Sequence, residues 1–71
     1  MVRIDMKKTG ENIKVFRKER DLSVKDLMEI TGVSERAIFK WQNGDSVPTI
    51  DNLVVLANVF ECTIDHIIAV V

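Results

Sequence analysis

Residues 27–40 read LMEITGVSERAIFK, and Gly32-Val33-Ser34 at their centre limits the fold more than any other feature. Glycine is the residue that takes a left-handed conformation after a helix at least cost. Serine is among the strongest residues for opening one, because its hydroxyl accepts a backbone N–H of the first turn. Only Val33 separates the stop from the start, so two helices must meet at a steep angle across a very tight turn.

The same signals divide the rest of the chain. Thr9 is placed to cap a first helix through about Arg20, with Ile13, Phe16 and Arg20 on one side, and Leu22 closes the following turn against the core. Ser23 and Asp26 form a capping-box pattern for a second helix, whose apolar positions are Leu27, Met28 and Ile30. The third helix runs from Glu35 to Gln42 and stops at Asn43-Gly44. At about 100° per residue, Ala37, Ile38 and Trp41 fall on one inward arc and Glu35, Arg36, Phe39 and Lys40 point away. Thr49 opens a fourth helix over 50–60, with Ile50, Leu53, Ala57 and Phe60 on one face. Thr63 opens a short fifth, with Ile64, Ile67, Ile68 and Val71 inward. The expected fold is all-α, a compact five-helix bundle in one domain over residues 1–71, because a core is already hard to build at this length.

Composition narrows the function. With 46% hydrophobic and 30% charged residues, three Gly and one Pro, the chain reads as globular and helical. It shows neither a signal-peptide pattern nor an apolar run of about 18 residues, so no membrane partner is expected and the location is expected to be cytoplasmic. Cys62 is the single cysteine, which excludes a disulfide framework within one chain and reads as a buried small hydrophobe. His66 has no neighbouring ligands and reads as a surface residue. No nucleophile with its base, carboxylate pair or phosphate-binding glycine loop can be placed, so neither an enzyme, a cofactor, a metal nor a small-molecule ligand is expected. All ten Lys and Arg lie between Arg3 and Lys40, where they meet seven acids, whereas residues 41–71 hold four acids and no base. A net charge of -1 thus hides one half suited to a polyanion.

These pieces, in this order, resemble the phage repressor and Cro group of DNA-binding domains, the xenobiotic-response-element or lambda-repressor-like type. The matching runs are GENIKVFRKERDLS, DLMEITGVSERAIFKWQNG and VPTIDNLVVLANVFECTIDHI, and the resemblance covers residues 10–68. The resemblance implies a helix-turn-helix over about 23–43, double-stranded DNA as partner, and a homodimer acting as a repressor on a palindromic operator. It places base reading on Ser34, Glu35, Arg36, Phe39 and Lys40. Arg36 and Lys40 suit guanine O6 and N7, Glu35 suits a cytosine amino group, and Phe39 suits a thymine methyl. Phosphate contacts fall to Ser23, Lys25, Asn43, Arg17 and Ser46. Val54, Val55, Val59, Ile68 and Val71 supply apolar surface for a dimer interface.

Three positions depart from the family pattern. Val24 stands where a backbone-touching Gln is usual. Met28 stands where the crossing helices usually meet at a small residue. Gln42 stands opposite Arg17 where a glutamate is usual, so a neutral hydrogen bond replaces an ion pair and leaves Arg17 freer to meet DNA. The acidic total, Glu35 and Val24 suit a different class of function, a helix-turn-helix used as a protein-interaction module. The basic N-terminal half, Arg36 and Lys40 favour DNA.

Overall fold

The first helix begins earlier than the cap pattern predicts. In the computed structural model, which describes residues 2–71, α1 spans Met6–Glu19, and its N-cap is Asp5, whose Oδ1 accepts the Lys8 N–H at 3.0 Å. Thr9 lies one turn inside and is buried, so its hydroxyl has no first-turn N–H to cap. It accepts the Ala69 N–H at 2.9 Å instead and ties α1 to the far end of the chain. Arg20 is the C-cap and is exposed rather than turned to the core side.

The remaining helices are α2 (Val24–Thr31), α3 (Glu35–Asn43), α4 (Ile50–Phe60) and α5 (Ile64–Ile67). Ser23, Ser34 and Thr49 each accept an N–H three residues on, from Asp26, Ala37 and Asn52. Thr63 is also an N-cap by position, but its side chain makes no cap hydrogen bond; its hydroxyl pairs with His66 Nδ1 at 2.9 Å. Helix α5 is a single turn. Val71 therefore lies beyond it and is exposed, not inward.

The core is Ile13, Leu27, Ile38, Trp41, Leu53, Leu56, Ala57, Phe60 and Ile67. Phe16 is half-buried and stacks on Phe60, with ring centroids 5.5 Å apart. On α4 the inward face is rotated from the expected one. Leu56 is fully buried, whereas Ile50 at the N-terminal end is 70% exposed. Cys62 is half-buried rather than buried. Removal from water raises its thiol pKa, while the Arg20 charge pulls it down less strongly.

Outside the helices, residues 3–5 lie antiparallel to 69–71. Asp5 N–H donates to Ala69 O at 2.8 Å and Val71 N–H to Arg3 O at 2.9 Å, around an isolated Ile4–Val70 pair. Asn12 Nδ2 adds a bond to Ile67 O at 3.0 Å. Residues 3–5 and 69–71 are thus fastened to each other, and Ile67 and Ala69 to α1. Among the described residues no helix is long and apolar enough to cross a membrane.

Candidate nucleic-acid interface

The tight turn forms as its residues dictate. Thr31 Oγ1 donates to Leu27 O, Gly32 closes α2 at φ 76° with its N–H on Met28 O, and the Val33 N–H reaches back to Thr31 Oγ1. Nothing lies within 4 Å of the position a Gly32 Cβ would take, so the left-handed backbone alone calls for glycine. Ser34 then opens α3 directly.

Helix α3 is divided as its periodicity predicts. Ile38 is fully buried and Trp41 nearly so, which anchors one side in the core. Glu35, Arg36, Phe39, Lys40 and Asn43 are exposed along the other, and Phe39 keeps 43% of its surface in water. Burying a large apolar side chain contributes about 1.5–3 kcal/mol, part of which Phe39 forgoes where it stands between Arg36 and Lys40. Ala37 is half-buried at the boundary.

The two helix starts point the same kind of chemistry outward. At α2 the capping box is complete: Ser23 Oγ accepts the Asp26 N–H at 3.0 Å and Ser23 N–H donates to Asp26 Oδ2 at 2.8 Å. The Ser23 backbone N–H, then the Ser23 hydroxyl, hold the Asp26 carboxyl below its ordinary pKa, and the Lys25 charge adds to this. The cap takes up only one first-turn donor. The N–H groups of Val24 and Lys25, and likewise of Glu35 and Arg36, have no protein acceptor among the described residues. Such donors at a helix N-terminus suit an anion. The Val24 side chain does not compete for that place, because it is half-buried and packs on the core, as Met28 does.

Arg17 is held more firmly than the sequence suggests. Its Nε donates to Gln42 Oε1 at 2.9 Å and Nη1 donates to Leu22 O at 2.8 Å. The neutral bond to Gln42 forms, but Arg17 is half-buried and fastens α1, the turn after it and the end of α3 together. Its Nη2 donors remain. Past α3, Gly44 takes φ 80°, and Asp45 and Ser46 send their N–H groups back to Lys40 O at 2.9 and 3.4 Å. Ser46 is half-buried there, whereas Lys25 and Asn43 are exposed.

Two residues that place α3 escape a reading by caps and periods. Gly10 is buried where α1 crosses α3, and a Cβ on it would run into the carbonyl oxygens of Trp41 and Gln42. Lys7 lies beside Gly44, with its Cα 2.7 Å from where a Gly44 Cβ would stand. Glycine at Gly10, inside a helix that otherwise has no use for one, is the signal from which the crossing is readable.

A short domain of five helices, with the second and third joined by a glycine turn and an exposed polar edge on the third, is a helix-turn-helix domain. Residues 13–67 match the Helix-turn-helix family, and the chain belongs to it. Repressor protein C2 of Salmonella phage P22 is 30% identical over 59 residues, which cover 83% of this chain. The chain spans only 27% of that repressor's length. Among solved structures, the P22 c2 repressor in complex with synthetic operator 9T superposes with a TM-score of 0.77 at 30% identity, over 83% of this chain and 89% of that one. A transcriptional regulator from Listeria innocua gives 0.79 at 28% identity, over 84% and 56%. The restriction-modification controller protein C.AhdI from Aeromonas hydrophila gives 0.78 at 19% identity, over 89% and 96%, a likeness of fold.

Proposed function

We propose that the chain is a sequence-specific, double-stranded DNA-binding transcriptional regulator that acts as a repressor. The observation that carries this is the division of α3: Ile38 and Trp41 lock it into the core while Glu35, Arg36, Phe39 and Lys40 stand exposed in a row. An α-helix fits the major groove of B-DNA, where each base pair presents a distinct donor and acceptor pattern. The capture of the P22 c2 repressor on an operator supports the same use of the fold here.

In this reading α3 enters the groove by its N-terminal end. Ser34 and Glu35 meet the bases first, Glu35 accepting from a cytosine amino group. Arg36 donates in bidentate fashion to guanine, Lys40 reaches the same acceptors one turn on, and Phe39 packs on a thymine methyl. The free N–H groups at the starts of α2 and α3, with Ser23, Lys25, Asn43, Ser46 and the spare Nη2 of Arg17, take the phosphates on either side.

The active unit is a homodimer on a palindromic operator, with half-sites about one helical turn, roughly 34–36 Å, apart. Its apolar contact comes from Val54, 54% exposed, and Val71, together with the open parts of Val55, Val59 and Ile68. Val55→Lys should then occupy the operator as single copies, each on a half-site; an unchanged two-copy complex on the operator places the interface elsewhere. Selection from random duplex DNA tests the function itself. Enrichment of a palindrome is the expected result, and the absence of any enriched sequence would mean that the exposed edge of α3 serves a protein partner instead.

A further inference from the structure

The paired chain ends leave one edge open. The bonds from Asp5 N–H to Ala69 O and from Val71 N–H to Arg3 O bracket Ile4 and Val70, so these two face each other without exchanging hydrogen bonds of their own. The Ile4 N–H and C=O therefore point away from Val70, to the outer side of the pair. Among the described residues no hydrogen bond takes up either group. Val2, Ile4 and Val70 are exposed, and a shallow open hollow lined by Arg3, Ile4, Asp5, Met6 and Val71 lies against the segment. An open strand edge with apolar side chains is a template for pairing with another chain.

The order of charges selects the chain that fits. Arg3 and Asp5 flank Ile4 on either side. When a second copy of this segment lies antiparallel about a two-fold axis at Ile4, the two Ile4 residues exchange N–H and C=O bonds. Each Arg3 then stands directly opposite the partner's Asp5. A slip by two residues sets Arg3 against the partner's Arg3 in one direction and Asp5 against the partner's Asp5 in the other, and like charges directly opposite are unfavourable. Both groups have capacity to spare. Asp5 gives Oδ1 to the Lys8 N–H and keeps Oδ2, and Arg3 makes no side-chain hydrogen bond or ion pair among the described residues.

We propose that the Arg3–Asp5 edge is a self-association surface. A second copy of this chain adds to it antiparallel, through two Ile4 backbone hydrogen bonds and two Arg3–Asp5 ion pairs, and joins the two terminal pairs into one four-stranded ribbon. The surface does not depend on DNA binding and includes none of the α4 contact residues, with Val71 at its border.

Analytical ultracentrifugation of the full chain over a concentration series, without DNA, tests it. Wild type should self-associate. Arg3→Asp and Asp5→Lys should each raise the dissociation constant at least about tenfold, because each leaves like charges facing each other. An equimolar mixture of the two should associate again, since each then faces its opposite. Asp5→Asn keeps a residue able to cap α1 and should weaken association with an unchanged melting temperature, which separates the ion pair from the fold. The same series in a Val55→Lys background assigns the surface: association that survives there and fails with Arg3→Asp belongs to this edge. A wild type that stays monomeric at every concentration would overturn the proposal. So would association in the Val55→Lys background that Arg3→Asp and Asp5→Asn leave intact, or folded single variants whose mixture in that background associates no better than either alone.

Discussion

At Gly10 the space of the missing side chain is occupied by the backbone of α3, and at Gly32 it is empty. The two glycines therefore fail differently when changed to alanine. Gly32→Ala forces a left-handed alanine and should cost about 1 kcal/mol without moving either helix. Gly10→Ala must push α1 off Trp41 and Gln42, and should cost more than 2 kcal/mol, the scale of overpacking, while also shifting α3. Thermal melts rank the two, and a Gly10→Ala chain as stable as wild type would refute the close crossing. Asp26 has a folded pKa lowered by the Ser23 bonds, so its contribution is complete above its unfolded pKa and is lost as pH falls through the folded value. Melting temperature should thus fall more steeply on acidification in wild type than in Asp26→Asn. Parallel curves would mean that the capping box does not couple to folding.

Among the elements, α3 has a buried side and an exposed side, and substitutions should separate their contributions. Ile38→Ala removes a fully buried side chain and should cost about 2–5 kcal/mol, whereas Arg36→Ala and Lys40→Ala should change stability by less than about 0.5 kcal/mol. Equal losses from both sides, read by chemical denaturation, would contradict the division. That division was legible in sequence because Gly32, Ser34 and the positions of Ile38 and Trp41 are local signals on one short helix. Where the sequence misled, the cause lay far along the chain. Thr9 looks like a cap until Ala69, sixty residues on, claims its hydroxyl, and Asp5 caps one turn earlier. Ile50 fits the apolar period of α4, but no element covers that end. The hold of Leu22 O on Arg17 is a backbone contact that no residue type announces.

For the whole molecule, the polar edge of α3 and the open strand edge lie in different regions of sequence. Residues 23–46 supply the polar edge of α3 and the free N–H groups at two helix starts, and the chain ends supply the open strand edge. The charge division visible in the sequence matches this arrangement, since Arg36 and Lys40 are the last bases before an acidic C-terminal part. The terminal pairing was not legible, because three residues at each end carry no periodic pattern and meet only once the core has formed. Under the proposed function, α3 reads bases. The most direct measurement is a titration of the DNA sequence selected by the wild type, and of a scrambled duplex, at several salt concentrations, with wild type, Arg36→Ala and Lys25→Ala. Arg36→Ala should lose about 1–3 kcal/mol on the selected sequence and little on the scrambled one. Lys25→Ala should weaken both alike and lower the salt slope by about one. An Arg36→Ala chain that keeps wild-type affinity and discrimination would mean that α3 does not read bases through Arg36.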